Sequence, residues 1–233
     1  MPRLFYFCGH EQFQPEVLVE HAVRAEAAGF DGVAVSEHFH PWVDDVGAGG
    51  FAYATLGAMA VRTSHVALVT TVSTPLFRYH PGVVAQAAAT VDRLSGGRFE
   101  LGVGTGENLN EGPLGYPFPA YDGRAARMEE ALDIIGSLLA GDRLTYRGEY
   151  YSTERARLYS PPRRAVPLWM AAGGPKSAVL AARKADGIIS SVREPAATAA
   201  RVIAPARDAA AEAGRSQPRL MATRWAVFAG DRG

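Results

Sequence analysis

The 233-residue sequence has 24 Lys and Arg against 24 Asp and Glu, so its formal net charge at pH 7 is zero. This balance gives no electrostatic basis for binding nucleic acid or an anionic membrane surface. A single cysteine, Cys8, excludes an internal disulfide, and without a long apolar run or a signal-like amino terminus we expect a cytoplasmic protein with no membrane span.

Short apolar runs alternate with longer segments in which apolar residues recur at helical spacing, over nearly the whole chain. Glycine and proline separate these segments, as is typical of turns and helix ends. The predicted elements in chain order are strand 4–9, helix 15–28, strand 32–36, helix 53–61, strand 66–74, helix 81–94, strand 98–106, helix 122–140, hairpin 144–151, strand 168–172, helix 177–185, strand 187–192, helix 196–213 and strand 220–229.

The alternation of strands with helices predicts βαβ units and a parallel sheet with right-handed crossovers. An open, doubly wound sheet would carry a nucleotide fingerprint after its first strand, and the segment FYFCGHEQF does not supply one. A closed barrel instead places its functional residues at the carboxyl ends of many strands. Residues suited to chemistry or ligand binding follow several predicted strands: Glu37, His38, Trp42, Ser73, Thr74, Thr105, Glu107, Asn110, Gly173 and Gly174.

The predicted fold class is therefore α/β, a single (β/α)8 TIM-barrel domain over residues 1–233 with a small hairpin excursion near 144–151. Seven barrel strands are countable, whereas a closed barrel of this type has eight. We expect this chain to lack the last strand and helix, or a second subunit to cover the open edge.

The segment VSEHFHPW places His38 and Trp42 directly behind a predicted buried strand. A strand end is a rigid platform, and an imidazole titrates near neutral pH, so His38 is suited to proton transfer there. A histidine near a strand end is often only a hydrogen-bonded core residue, but its combination with Trp42 and Glu107 favours catalysis. Other histidines are interpreted as loop or surface residues: His10, His65 and His80.

The sequences Gly104-Thr105-Gly106 and Gly173-Gly174-Pro175 could bring backbone amides close to a phosphate. Glycines equally permit tight turns between strands and helices, and for either segment alone we favour that interpretation. A metal site is not expected, because His38 and His40 are followed by no third ligand at a suitable spacing.

A series of motifs occurs in a fixed order: SEHFHPW, TVSTPLFRYHP, RFELGVGTGENLNE, GDRLTYRGEYY and PLWMAAGGP. Together they resemble the luciferase-like flavin and deazaflavin oxidoreductases, and they are most similar to the group that contains the coenzyme F420-dependent glucose-6-phosphate dehydrogenases. The resemblance implies a TIM barrel of the luciferase-like type, coenzyme F420 as the cofactor with FMN as the alternative, and a homodimer acting on a small-molecule substrate.

The resemblance also implies roles for individual residues. His38 matches the base toward the substrate hydroxyl, Trp42 matches a tryptophan beside the reacting centre, and Glu107 matches a proposed proton donor. A non-prolyl cis peptide of the family falls at Thr71–Val72. Glu37 is assigned either to the cofactor or to a structural hydrogen bond with a neighbouring loop. The implied cofactor-binding residues are Glu37, Thr71, Val72, Thr74, Asn110, Gly173, Gly174 and Pro175.

Substrate identity is the least determined feature. A sugar phosphate needs cationic side chains at the mouth of the barrel, and here Arg193 is followed by Glu194, which opposes anion binding. With Trp42 and Arg193 as the predicted substrate-binding residues, we expect an alcohol, lactol or carbonyl compound other than glucose 6-phosphate.

Three functions remain open at this stage. The favoured one is an F420-dependent oxidoreductase that transfers a hydride between its substrate and the deazaflavin ring. The alternatives are an FMN-dependent luciferase-like monooxygenase and a non-enzymatic flavin-binding protein with a shortened barrel.

Overall fold

Seven parallel strands form one sheet in the computed structural model of the protein, which describes residues 2–224. In chain order the strands are β1 (Phe5–Cys8), β2 (Gly32–Val35), β3 (Ala67–Thr70), β4 (Phe99–Val103), β5 (Leu144–Arg147), β6 (Ser152–Ala156), β7 (Leu168–Ala171), β8 (Gly187–Ser191) and β9 (Arg219–Thr223). The sheet has the order β1-β2-β3-β4-β7-β8-β9, and β5 pairs with β6 in a separate antiparallel hairpin. Neighbours in the large sheet are thus also neighbours along the chain, as in a barrel.

Helices connect the parallel strands. They are α1 (Pro15–Ala27), α2 (Ala52–Arg62), α3 (Pro81–Leu94), α4 (Asn108–Glu111), α5 (Tyr121–Leu139), α6 (Pro175–Lys184), α7 (Pro195–Thr198) and α8 (Ala204–Glu212), with a π-helical segment, Ala199–Ile203, between the last two. Several begin at a proline, whose fixed φ suits the first helical position and whose missing N–H costs no hydrogen bond there.

Side-chain alternation along the strands separates two apolar layers. On β2, Val33 and Val35 join the large core between sheet and helices, while Ala34 joins a small inner cluster with Val69 and Trp169. Residues of both edge strands, β1 and β9, line one cavity, so the sheet curves around it. The carboxyl ends of the strands consequently meet along one rim.

The predicted α/β fold with a barrel-type parallel sheet is confirmed, but several boundaries were wrong. The strand predicted over 66–74 ends at Thr70, where its ladder to β2 ends with the pair Val35–Thr70, and beyond it Ser73 makes only an isolated bridge to Val103. The hairpin predicted over 144–151 extends further, since β6 lies at Ser152–Ala156. Of the strand predicted over 220–229, Arg219–Thr223 is present and residues 225–229 lie outside the described residues.

One helical prediction also needs correction. The single helix predicted over 196–213 is divided by the π-helical segment. Within residues 2–224, no helix is both long enough and apolar enough to cross a membrane.

Candidate active site

A cleft of about 1620 Å³ runs along the inner face of the sheet and includes the carboxyl ends of the strands. Its volume exceeds the roughly 300–1,000 Å³ that is usual for a small-molecule site. All of the predicted site residues line it: Glu37, His38, Trp42, Thr71, Val72, Thr74, Glu107, Asn110, Gly173, Gly174, Pro175 and Arg193. The structure therefore brings the predicted residues together, while their individual roles stay predictions.

The imidazole of His38 lies among polar partners on both of its nitrogens. Nε2 is 3.2 Å from Oε1 of Glu11, and Nδ1 is 3.2 Å from the carbonyl oxygen of His40 and 3.3 Å from Nδ2 of Asn110. With Nε2–H donated to Glu11, an unprotonated Nδ1 accepts from Asn110, and a protonated Nδ1 donates to His40. The site thus provides partners for both the neutral and the cationic ring, as proton transfer at His38 requires.

Asn110 fixes the segment that carries His38. Its buried Oδ1 accepts hydrogen bonds from the backbone N–H groups of Phe39, at 2.9 Å, and His40, at 3.2 Å. These two donors determine which end of the amide is oxygen, and so direct Nδ2 toward His38. The side chain predicted to contact the cofactor is engaged with the loop after β2, and its cofactor contact stays a prediction.

Glu11 is a site residue that the sequence analysis missed. It lies in the loop after β1, is 7% exposed, and holds His38 through Oε1 and the hydroxyl of Ser36 through Oε2. Its position at the end of the first strand was the available signal, because the same rule that identified His38 applies to every strand of a barrel.

The assignment of His10 as a loop or surface residue was wrong in its environment. His10 does lie in a turn, but its side chain is fully buried. Nδ1 is 2.8 Å from the carbonyl oxygen of Ser36, and Nε2 is 2.9 Å from the hydroxyl of Thr55. Burial lowers the pKa of His10, despite the opposing effects of the Ser36 carbonyl and nearby carboxylates. The neutral ring therefore serves as a buried hydrogen-bonding bridge.

Arg78 pairs with two carboxylates, that of Glu37 directly after β2 and that of Glu111 at the end of α4. Its Nη1 and Nη2 donate to Glu37 at 2.8 and 3.1 Å, and its Nε donates to Glu111 at 3.1 Å. Burial raises the pKa of Glu111, partly offset by Arg78, and among the described residues its buried Oε2 has no hydrogen-bond partner. Of the two assignments made for Glu37, the structural contact is present, and Arg78, which lies within the motif TVSTPLFRYHP, was missed.

Two further groups on the cleft could contact a ligand, one directly after β3 and one directly after β7. The Thr71–Val72 peptide is cis, as predicted, and the buried hydroxyl of Thr71 has no partner within residues 2–224. A Cβ at Gly173 would meet no atom within 4 Å, so the backbone is open to close approach just before α6. Among residues 2–224, no group of three or more His, Cys, Asp or Glu could hold a metal ion.

Comparison with known proteins identifies the family of this chain. The profile of the luciferase-like monooxygenase family matches residues 3–232. The chain is 44% identical over 214 residues to an F420-dependent glucose-6-phosphate dehydrogenase of Nakamurella multipartita, covering 91% of this chain and 63% of the relative. It is 50% identical over 189 residues to the same enzyme of Beutenbergia cavernae, covering 81% of this chain and 56% of the relative.

A solved structure is similar over most of the chain as well. It is an F420-dependent secondary alcohol dehydrogenase in complex with an F420–acetone adduct, with a TM-score of 0.91 and 34% identity, covering 95% of this chain and 68% of that one. The chain spans less than two thirds of the length of the two curated relatives described above.

Proposed function

The chain belongs to the luciferase-like monooxygenase family, and we propose that it is a coenzyme F420-dependent oxidoreductase in which His38 is the base. The observation that carries this proposal is the placement of His38 between Glu11 and Asn110 in the cleft. Two kinds of relative support the cofactor, because both the glucose-6-phosphate dehydrogenases and the secondary alcohol dehydrogenase are named as F420-dependent.

The residues of the cleft fit a deazaflavin with a phosphate-bearing arm. The unpartnered hydroxyl of Thr71 and the side chain of Thr74 would contact the ring system, and the open backbone at Gly173 and Gly174 would receive the phosphate before Pro175 begins α6. When bound, coenzyme F420 supplies a ring that accepts or returns a hydride.

His38 manages the proton of the reaction. In the oxidation direction it accepts the hydroxyl proton of the substrate while the carbinol carbon loses its hydride. The resulting imidazolium donates one N–H to Glu11 and the other to the carbonyl oxygen of His40, which stabilises the charge; the N–H of Asn110 that donates to the neutral Nδ1 must give way when this nitrogen takes up the proton. Trp42 packs nearly perpendicular to the imidazole, with ring centroids 5.7 Å apart, and we assign Glu107, exposed on the same cleft, as the proton donor in the reverse direction.

We propose an alcohol, lactol or carbonyl substrate rather than a sugar phosphate. Lys176, a cationic residue of the cleft, is 2.6 Å from Asp122 in an exposed ion pair, so an anionic ligand would have to compete with this carboxylate. Arg193 also lines the cleft, but Glu194 follows it directly. Arg224 follows β9 on the same cleft, whereas Arg3 pairs with Glu100 and Arg219 lies over the ring of Trp169; we propose that the acidic neighbours of Lys176 and Arg193 weaken the binding of a phosphate ester. Homodimerisation and a cytoplasmic location stay predictions.

The first test is a binding titration of the purified chain with coenzyme F420 and, separately, with FMN, followed by fluorescence. We expect micromolar or tighter binding of F420, and then reduction of bound F420 by members of a panel of primary alcohols, secondary alcohols and lactols. His38→Ala should abolish turnover and retain F420 binding, whereas His65→Ala, at a histidine whose side chain is 88% exposed, should leave both unchanged.

Each alternative function has its own result in this test. Preferential binding of FMN with oxygen consumption would replace the proposal with a monooxygenase. Binding of F420 without turnover of any substrate class would replace it with a cofactor-binding protein.

A further inference from the structure

We propose that Ser36 is a positioning residue that sets the tautomer of His38 by directing its hydroxyl proton at Glu11. The effect of Ser36 on catalysis rests on the proposed function. Its effect on the His38 tautomer depends only on hydrogen bonds within this chain. Ser36 is 2% exposed and lies directly after β2.

The direction of the Ser36 proton follows from its second partner. The backbone N–H of His10 is 2.8 Å from Oγ of Ser36, and a backbone amide only donates. Oγ therefore accepts at that contact. The single hydroxyl proton is left for Oε2 of Glu11, to which Ser36 donates. No other assignment gives the N–H of His10 an acceptor and Oε2 a donor at these contacts.

The two oxygens of Glu11 therefore have different partners. The hydrogen bond from Ser36 holds Oε2 and so orients the carboxylate, which places Oε1 3.2 Å from Nε2 of His38 as its acceptor. A carboxylate that accepts from one ring nitrogen holds the proton on that nitrogen and sets the tautomer. Nδ1 of His38 is then the nitrogen whose protonation changes, between Asn110 and the carbonyl oxygen of His40.

His10 holds Ser36 at two points. Its backbone N–H donates to the Ser36 hydroxyl, and its ring Nδ1 donates to the Ser36 carbonyl oxygen at 2.8 Å. Nε2 is 2.9 Å from the hydroxyl of Thr55, whose oxygen is also 3.3 Å from the carbonyl oxygen of Phe51. Burial lowers the pKa of His10 and favours the neutral ring, in which Nε2 accepts from Thr55. The titratable or charged side chains around this arrangement are His10, Glu11, Glu37 and His38.

The test compares Ser36→Ala, which removes the hydroxyl, with Ser36→Thr, which keeps it. The matched control is Ser95→Ala, because Ser95 is also a buried serine, bonds through Oγ to Asp92 and Arg98, and lies outside the cleft. The readouts are ¹⁵N NMR shifts of the His38 ring, the affinity for F420, and kcat and KM as functions of pH.

We expect the wild-type ring to carry its proton on Nε2 in the neutral form. In Ser36→Ala the ring should become a mixture of tautomers, kcat should fall roughly 10- to 100-fold as is typical of residues that orient a site's functional groups, and KM and F420 affinity should stay within about twofold. The pH profile of kcat in Ser36→Ala should change together with the tautomer. Ser36→Thr and Ser95→Ala should keep the wild-type NMR shifts of the His38 ring and the wild-type pH profile of kcat.

Several outcomes would overturn the inference. A wild-type His38 protonated on Nδ1 in its neutral form would do so without any variant, even if Ser36→Ala failed to fold. An unchanged tautomer in Ser36→Ala, or a loss in Ser36→Thr equal to that in Ser36→Ala, would do so too. If the tautomer changes as expected but the wild type turns over no alcohol, the proposed function fails and the positioning role of Ser36 stands.

Discussion

Replacing Arg78 with methionine should destabilise the folded protein severely. Arg78, Glu37 and Glu111 have side chains that are 4%, 2% and 0% exposed, so the substitution leaves carboxylates without their cation in the interior. Removing one partner of a buried ion pair typically costs about 3–5 kcal/mol. Glu37 loses a bidentate pair and keeps only the hydroxyl of Tyr79 at 3.3 Å, while Glu111 can relieve its burial by taking up a proton.

We therefore expect Arg78→Met to lower the free energy of unfolding by about 4 kcal/mol at pH 7, the centre of that range. Urea unfolding measures this directly. The matched control is Arg62→Met, since Arg62 pairs with Glu20 at 2.9 Å on the surface, where both side chains are 52% exposed. Exposed pairs contribute about 0–1 kcal/mol, so this variant should stay near wild type.

The pH dependence sharpens the test. At acidic pH the stranded carboxylates can be protonated, so the deficit of Arg78→Met should shrink as pH falls. If Arg78→Met lost no more stability at pH 7 than Arg62→Met, the buried ion pairs of Arg78 would not contribute to the stability of the fold, and the expected cost of leaving buried carboxylates unpaired would be wrong.

Further predictions concern stability and accessibility. Burial raises the pKa of the Cys8 thiol to about 12, so a disulfide reagent at neutral pH should label it only in urea, and rapid labelling of the native protein would contradict its burial. A Cβ at Gly102 would clash with the backbone oxygen of Thr70, so Gly102→Ala should unfold at a much lower urea concentration. Gly136 lies in α5 with open space around a Cβ, so Gly136→Ala should raise the free energy of unfolding by roughly 0.5–1 kcal/mol in the same assay. Because the pKa of Glu111 is raised on folding, the native state binds more protons than the unfolded state above pH 4.5. The free energy of unfolding should therefore fall as the pH rises from 4.5 through the native pKa. Glu111→Gln should remove this pH dependence from urea unfolding measured across the range, and an unchanged pH dependence would refute the prediction.

The sequence predicted the strands, their parallel order and the residues of the cleft, because each of these depends on local pattern. Polar residues after several apolar strands suffice to indicate a rim, since parallel strands end at one edge of the sheet. Hence His38, Glu107 and Gly173 could be brought together without knowledge of register, and the structure places them on one cleft.

Pairings across the rim could not be predicted in the same way. Whether Glu11 meets His38 depends on the stagger of β1 against β2, where Cys8 pairs with Val35. The error at His10 has a related cause, because a turn is normally exposed, and this one is covered by the start of α2, which supplies Thr55. Such contacts arise from how the sheet curves and how helices cover it, and the local periodicity of the sequence does not contain that information.

Hydrogen bonds from other parts of the chain hold the residues on both sides of His38. Ser36 is held by the loop after β1, Glu37 by Arg78, and the backbone of Phe39 by Asn110. Three loops from different strand ends therefore fix one short segment, and the bonds come from residues on either side of the imidazole. A base held in this way is preorganised, because its geometry is determined before substrate arrives. By contrast, Trp42 is 55% exposed, so the ring that packs against His38 is also open to the cleft, where a substrate would bind.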